Sequence, residues 1–297
     1  MKKIYLILIL LTLILGAENS RLELNKIIHK EFQAESLKRG VIALSAHNKM
    51  LSQKISKDVV MIANGVDVEN HRQDLIRSTQ IFNDFLLAMY RGDAKRHIEK
   101  TTDETVLQEL GQIKDEWKKF CLHVLKFYKQ SEMIDQDSYL YIINNNEKLL
   151  RLSHKLTQTL KSKSRLNINF NKVIEHTLKI ADRQKMLTQK MFKEKFLVYI
   201  KEDSKRNSVR LRGSLILFKN GLLGLINGDK KRGLAKVTDL KIQEKLQKMW
   251  SLYKEVEEFY LHEGTKEGEI ERLSTIEKEL LKYSTEIVTM IESTLEY

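Results

Sequence analysis

One seven-residue segment occurs twice in the chain, 136 positions apart. Residues 48–54 read NKMLSQK and residues 184–190 read QKMLTQK. From there the two copies align without a gap to residues 93 and 229, with 14 identities in 46 positions. A self-match of this length at a fixed period indicates a duplicated structural unit. Its most similar stretch is polar and basic, which packing alone does not require.

The spacing of apolar residues predicts an all-α fold. Apolar residues recur three and four positions apart over long stretches, which is typical of amphipathic helices. One such stripe comprises Leu107, Leu110, Ile113, Trp117, Phe120, Val124 and Phe127. The chain contains no proline, and alternation of period two is not sustained anywhere. In each copy the pattern of apolar residues predicts four helices with short connections. We therefore expect two tandem antiparallel four-helix bundles, each with its own core.

The predicted bundles occupy residues 24–163 and 169–297. The helices are expected at 24–64, 68–90, 104–130 and 138–163, and at 169–201, 204–225, 236–261 and 270–296. Aligning Trp117 with Trp250 and Glu147 with Glu277 gives offsets of 133 and 130, which places the length differences in loops. The joint at residues 161–169 contains neither Gly nor Pro. The flanking helices are therefore continuous there or break near residues 162–164.

The N-terminus predicts export. Met1-Lys2-Lys3 is followed by an apolar run over residues 4–15 and then by small residues, the pattern of a secretory signal peptide at residues 1–17. The run is shorter than the roughly 20 apolar residues that span a bilayer. We expect a periplasmic protein whose signal peptide is cleaved, with anchoring to the inner membrane by an uncleaved N-terminus as the alternative.

The formal net charge of +12 has to be interpreted in that compartment. Lys and Arg alternate with Asp and Glu along the chain, as on solvated helix faces, and an exported protein rarely meets nucleic acid. We therefore expect no nucleic-acid partner. Attraction to small anions or to an acidic membrane surface is compatible with the charge.

The repeated motif has the geometry of a small polar site on a helix. Lys49 and Gln53 lie one turn apart, as do Lys185 and Gln189, so each pair shares a helix face. A cation and a carboxamide at this spacing can together hold a small oxyanion. The same spacing is common on exposed helices, so spacing alone favours a structural role.

The second copy carries a family resemblance. Residues 181–191 read ADRQKMLTQKM and resemble the signature of the PilJ/NarX-type N-terminal sensor domain, which is close to AGRQRMLSQRM. Residues 45–55, SAHNKMLSQKI, are similar but more divergent. Domains of this family are periplasmic four-helix bundles of type IV pilus chemotaxis receptors and of nitrate and nitrite sensor kinases. The resemblance implies two tandem sensor domains in a stand-alone exported protein.

The resemblance also implies an anion site. In nitrate-sensing relatives an arginine before the Met binds the anion where the first helices of two subunits meet, and that position is Lys49 or Lys185 here. Lysine offers a point charge instead of a planar fork, and Asp182 and Ala46 replace the motif's Gly. The candidate ligand-binding residues are Asn48, Lys49, Gln53, Arg183, Lys185 and Gln189. We expect a small anion such as nitrate or nitrite between Lys49 and Lys185 of one chain, or at the junction of a homodimer.

The remaining expectations concern partners and chemistry. The sequence ends at Tyr297 without a signalling module, so we expect a membrane receptor or sensor kinase to read the liganded protein. A helical scaffold or interaction protein of the cell envelope, without a ligand, is the alternative. The eight histidines form no His-x-x-x-His or Glu-x-x-His pair, and nucleophile and phosphate-loop motifs are missing. We expect no metal, no cofactor and no enzymatic activity.

Overall fold

The all-α prediction is confirmed by the computed structural model, which describes residues 40–129, 134–163, 172–262 and 266–293. Eight helices are present in these ranges. They are α1 (residues 40–63), α2 (Val68–Arg91), α3 (Glu104–Val124), α4 (Gln136–Lys163), α5 (Lys172–Tyr199), α6 (Ser204–Asn227), α7 (Leu240–Leu261) and α8 (Glu267–Ser293). The predicted signal peptide, the predicted start of the first helix at residue 24 and the joint at residues 164–169 lie outside the described residues.

Helix ends follow local chemistry. The α2 helix stops at Gly92 with φ 80°, and α6 stops at Gly228 with φ 81°, a backbone conformation that glycine adopts without steric cost. The side chain of Asp103 caps α3 and that of Asp239 caps α7, each by accepting a backbone N–H of the first turn. The cap at Asp239 explains why α7 begins at Leu240 and not at residue 236 as expected.

The first four helices form a bundle around α1. The α1 helix contacts α2 through Asn48 Nδ2, which donates to the carbonyl oxygen of Phe82 at 3.4 Å. It contacts α4 through a 2.9 Å hydrogen bond between the hydroxyls of Ser45 and Thr157. The Phe82 and Trp117 rings stack with centroids 4.1 Å apart and join α2 to α3. These contacts place α1 between α2 and α4.

The second set of helices repeats this geometry, and its register corrects one expectation. Phe218 packs against Tyr253 with centroids 5.3 Å apart, as Phe82 packs against Trp117. Both members of the pair are shifted by 136 positions, so Tyr253 is the counterpart of Trp117 and the alignment with Trp250 was wrong. Residue identity is a poor guide here, because the same core position holds Trp117 in the first half and Tyr253 in the second.

The alignment of α4 with α8 is also corrected. Their buried positions match at an offset of 131, as shown by the pairs Ile142/Leu273, Asn146/Glu277, Leu149/Leu280 and Ser153/Ser284. Asn146, and not Glu147, is therefore the counterpart of Glu277. The length difference between the copies lies in the connection between α7 and α8.

The two halves pack directly against each other. Buried apolar side chains from α1–α4 and from α5–α8 belong to one continuous core, whereas separate cores were expected. Polar contacts join α1 to α5 and α8, and join α4 to α5. The first helices of the two halves thus lie side by side at the centre of the molecule. Within the described ranges, none of the helices is long and apolar enough to cross a membrane.

Candidate functional site

The contact between α1 and α5 brings the two motif lysines to one carboxylate. Asp182 Oδ2 lies 3.5 Å from Lys49 Nζ, and Asp182 Oδ1 lies 3.0 Å from Lys185 Nζ. The three side chains are 16 %, 9 % and 13 % exposed for Lys49, Lys185 and Asp182 respectively. We call this group the lysine clasp. The structure therefore juxtaposes the two predicted lysines within one chain, with the carboxylate of Asp182 between them.

The clasp is ionised in spite of its burial. Burial acts to raise the pKa of Asp182, but the charges of Lys185 and Lys49 outweigh it, and the pKa is lowered from its usual value. Burial lowers the pKa of Lys49, against the opposing effect of Asp182. Nearby His47 is held neutral, because burial and the charge of Lys185 lower its pKa to about 4. The clasp thus carries two cations and one carboxylate.

A cavity of about 280 Å³ opens beside the clasp, between α1, α4 and α5. Its lining residues are Lys49, Leu150, Arg151, His154, Gln158, Lys161, Lys179, Asp182, Arg183 and Met186. Five of these side chains are cations and one is a carboxylate. The volume lies just below the usual range for small-molecule sites, about 300–1,000 Å³. The volume and the charge of the lining suit an anion larger than a single halide.

The cations raise the positive potential of the cavity enough to affect its histidine. Partial burial lowers the pKa of His154, and the charges of Lys49, Lys179, Lys161 and Arg183 lower it further. His154 is therefore a neutral hydrogen-bonding group at neutral pH. A ligand that brings negative charge into the cavity would raise this pKa again.

Of the other predicted residues, Arg183 lines the cavity but Gln53, Gln189 and Asn48 do not. The Nε of Arg183 is buried and has no hydrogen-bond partner among the described residues. Gln53 and Gln189 lie deeper in the contact between the halves, and Asn48 bonds the α2 backbone. The structure thus brings Lys49, Arg183 and Lys185 together, and places the three amides elsewhere.

The two glutamines belong to a buried polar layer one to two turns from the clasp. Lys57 Nζ pairs with Glu277 Oε2 at 3.2 Å, and Gln189 Nε2 donates to the same carboxylate. At the related place, Lys193 Nζ donates at 2.7 Å to the side-chain oxygens of both Gln53 and Asn146.

This layer is unequal in charge. Lys57 faces a carboxylate, whereas Lys193 faces two amides. Burial accordingly lowers the pKa of Lys193 to about 8, although Glu147 and Glu194 oppose the shift. The layer joins α1 to α8 and α4 to α5, so we assign it a structural role in holding the halves in one register.

Sequence reasoning did not assign Arg151 and Lys179 to the site, and it treated Asp182 only as a replacement of the motif's Gly. A sequence signal for Arg151 exists on α4. Arg151, His154, Gln158 and Lys161 are spaced by three, four and three positions, the period of one helix face. A polar face with that period is also typical of an ordinary solvated helix, so only the packing of α4 on α5 shows that these residues line a cavity.

A metal site is not indicated by the described part of the chain, where no group of three or more His, Cys, Asp or Glu side chains converges.

Comparison with known families gives one match. Residues 36–138 match the PilJ family. The family is described as Type IV pili methyl-accepting chemotaxis transducer N-term. The match covers about a third of the chain, from the residues before α1 to the first turn of α4, and indicates a PilJ-type sensor domain there. No curated protein and no solved structure matches the chain.

The PilJ resemblance is thereby confirmed for the first half, where the motif is more divergent, whereas the match shows neither a second tandem copy nor a NarX-like type. The first half contributes Lys49 to the clasp, and Lys49 lies within the matched residues. The other residues that line the cavity come from α4 beyond residue 138 and from α5. The site therefore includes a motif lysine of the PilJ-type match, but most of its lining lies outside the matched residues.

Proposed function

We propose that the protein is a non-catalytic sensor module of the periplasm that binds an anion in the cavity between α1, α4 and α5. A membrane receptor or sensor kinase would read the liganded form. The PilJ match supports a sensor role for residues 36–138. The observation that supports an anionic ligand is the excess of Lys and Arg around a cavity that is bordered by motif residues of both halves.

We also propose that the second half is a PilJ-type domain. In its support, the backbone repeats at an offset of 136. Asp67 and Asp203 have φ values of 42° and 39°, and the bridge between Asp93 and Ile98 recurs 136 positions later. The two halves then supply within one chain the two first helices that a dimer would otherwise contribute. A homodimer would be an additional contact and not a requirement of the site.

A thermal-shift titration tests the anion. Nitrate, nitrite, sulfate, phosphate and citrate would be titrated at constant ionic strength, because a ligand that binds the folded state raises Tm by mass action. The variant Arg151→Gln/Lys179→Gln should reduce the shift. The control Lys241→Gln/Lys248→Gln removes two positive charges from exposed positions of α7 and should leave it unchanged. A flat response of the wild type to all five anions would contradict the proposal.

The scaffold alternative is favoured by a different surface. On α6, Val209, Ile216 and Leu217 are exposed around Gly213, and an apolar helix face of this kind suits contact with another protein. The variant Val209→Lys/Ile216→Lys separates the two functions. Loss of a receptor contact with an unchanged anion response would show that both operate, whereas loss of the contact in a protein that no anion stabilises would favour the scaffold.

A further inference from the structure

The lysine clasp already contains an anion. A side-chain carboxylate is a flat oxyanion, and each oxygen of Asp182 faces a different lysine, at 3.5 Å for Lys49 and 3.0 Å for Lys185. Lys49 belongs to α1 and Lys185 to α5. The carboxylate therefore neutralises the two cations that meet where the halves cross, without any added ligand.

A second anion would meet repulsion in the same place. Asp182 is largely buried and ionised, and an anion that entered between the two ammonium groups would lie within a few ångströms of its oxygens. Like charges at that separation are unfavourable where water is mostly excluded. The clasp is thus closed to a free monovalent anion such as nitrate or formate.

The rest of the cavity has an excess of cations. Arg151 on α4 and Lys179 on α5 line it with exposed side chains, and Arg183 on α5 has a buried Nε without a partner among the described residues. One monovalent anion cannot pair with all three cations or fill about 280 Å³. A ligand with two or more negative charges and several oxygen acceptors can do both, and Arg supplies paired donors for carboxylate or phosphate groups.

We propose that Asp182 takes the anion position between Lys49 and Lys185, so that the ligand of the adjoining cavity is a multivalent anion held by Arg151, Lys179 and Arg183. The choice of ligand rests on the proposed function, whereas the role of Asp182 does not. Polycarboxylates and polyphosphates share the required chemistry.

Removal of the carboxylate tests the role of Asp182. In Asp182→Ala, two buried cations lose their counter-anion and a space opens between them. The Tm should fall, and formate or nitrate should restore it in a saturable way. The control Glu255→Ala removes a carboxylate that pairs with Arg272 at an exposed position and should show neither the loss nor the rescue. An unchanged Tm in Asp182→Ala, or a loss that no monovalent anion reverses, would overturn the assignment.

The ligand class is tested with citrate and pyrophosphate against formate and nitrate on the wild type. We expect a Tm rise with one of the two multivalent anions, at concentrations where the monovalent anions have no effect, and which of them binds identifies the ligand chemistry. The neutral isostere Asp182→Asn keeps the shape and should tighten multivalent binding roughly tenfold, because a nearby like charge is removed. Wild-type binding of nitrate as strong as that of citrate and pyrophosphate would refute the selectivity.

Failure of the proposed function and failure of the role assigned to Asp182 give different results. If no anion stabilises the wild type but formate rescues Asp182→Ala, the ligand proposal fails and the internal anion stands. If the wild type binds nitrate and Lys185→Ala, which alters the clasp but not the cavity lining, abolishes that binding, the function stands and the internal anion fails.

Discussion

The ion pair between Lys57 and Glu277 gives the sharpest test of how the halves are held together. It joins α1 to α8 across 220 positions of sequence, both side chains are buried, and the closest N–O distance is 3.2 Å. At that distance and an effective dielectric constant of about 20, the attraction is about 5 kcal/mol before desolvation is subtracted. Removal of Lys57 leaves Glu277 buried without a cation, at a cost of about 3–5 kcal/mol. Removal of Glu277 leaves Lys57 with the more distant carboxylate of Asp58, 3.9 Å from Nζ.

The expected results follow from the difference between removing one partner of the ion pair and removing both. Lys57→Met should lower the free energy of unfolding by about 3 kcal/mol or more, and Glu277→Leu by less, because Asp58 still lies 3.9 Å from Lys57. The double variant should lose much less than the sum of the two. Glu277→Gln should be milder, because it leaves Lys57 facing amide oxygens, as Lys193 faces Gln53 and Asn146 in the native protein. The assay is urea denaturation followed by far-UV circular dichroism, with the m-value checked for constancy.

The pair Lys245 and Glu286 provides the control, since it joins α7 to α8 by the same residue types at a partly exposed position. Its double-mutant cycle should show little coupling. The reasoning would be refuted if Lys57 and Glu277 also gave additive single-variant effects, or if either single variant cost less than about 1 kcal/mol.

Three further predictions concern local features. Gly221→Ala should destabilise the protein, because its Cβ would displace the buried Gln184 amide that donates to the Ile180 carbonyl oxygen. Gly213→Ala meets nothing within 4 Å and should add about 1 kcal/mol, and urea denaturation measures both. His47 has a pKa of about 4 in the folded protein, against 6.5 in the unfolded chain. The free energy of unfolding that this difference contributes is therefore fully present above pH 6.5 and is lost as the pH drops towards 4. About 2 kcal/mol of unfolding free energy should be lost by pH 5, and His47→Gln should remove that part of the pH dependence. Asp239→Ala should cost about 1 kcal/mol through loss of the α7 cap, measured as a lower urea midpoint.

The fold was largely predictable because helix period and repeat are local signals. Apolar residues three and four apart located the helices, and the repeat located the halves. The register of α7 and α8 was not predictable, because residue identity is a poor guide where a core position accepts either Trp117 or Tyr253. The contact between the halves was not predictable either, since it depends on which faces of α1 and α5 meet.

The candidate site was predictable only where its residues lie in the repeated motif, which is a local signal. The motif identified Lys49, Lys185 and Arg183, and the structure brings them to one place. Asp182 was recognisable as a charged residue at a small-residue position, but its role requires the crossing of the two first helices. Arg151 and Lys179 lie 34 and 6 positions before Lys185, the motif lysine nearest to both, and only the packing of α4 on α5 brings Arg151 to the site.

The position of the single clasp carboxylate can be tested by moving it. In a symmetric dimer both first helices carry the same residues, so one aspartate in each would put two carboxylates between two lysines. In this chain Asp182 has Ala46 as its counterpart, and Lys49 follows Ala46 by three positions as Lys185 follows Asp182. Covalent linkage of unequal halves therefore permits one carboxylate for two cations.

The relocated variant Ala46→Asp/Asp182→Ala should consequently regain at least half of the unfolding free energy lost in Asp182→Ala, because the repeat relates the two positions. It should also lose the rescue by formate, since the gap is filled again. The single variant Ala46→Asp should be destabilised, because two carboxylates would then share one clasp. Urea denaturation with and without formate distinguishes these outcomes. A relocated variant that is no more stable than Asp182→Ala, and that still responds to formate, would show that the two halves do not present equivalent positions to the clasp.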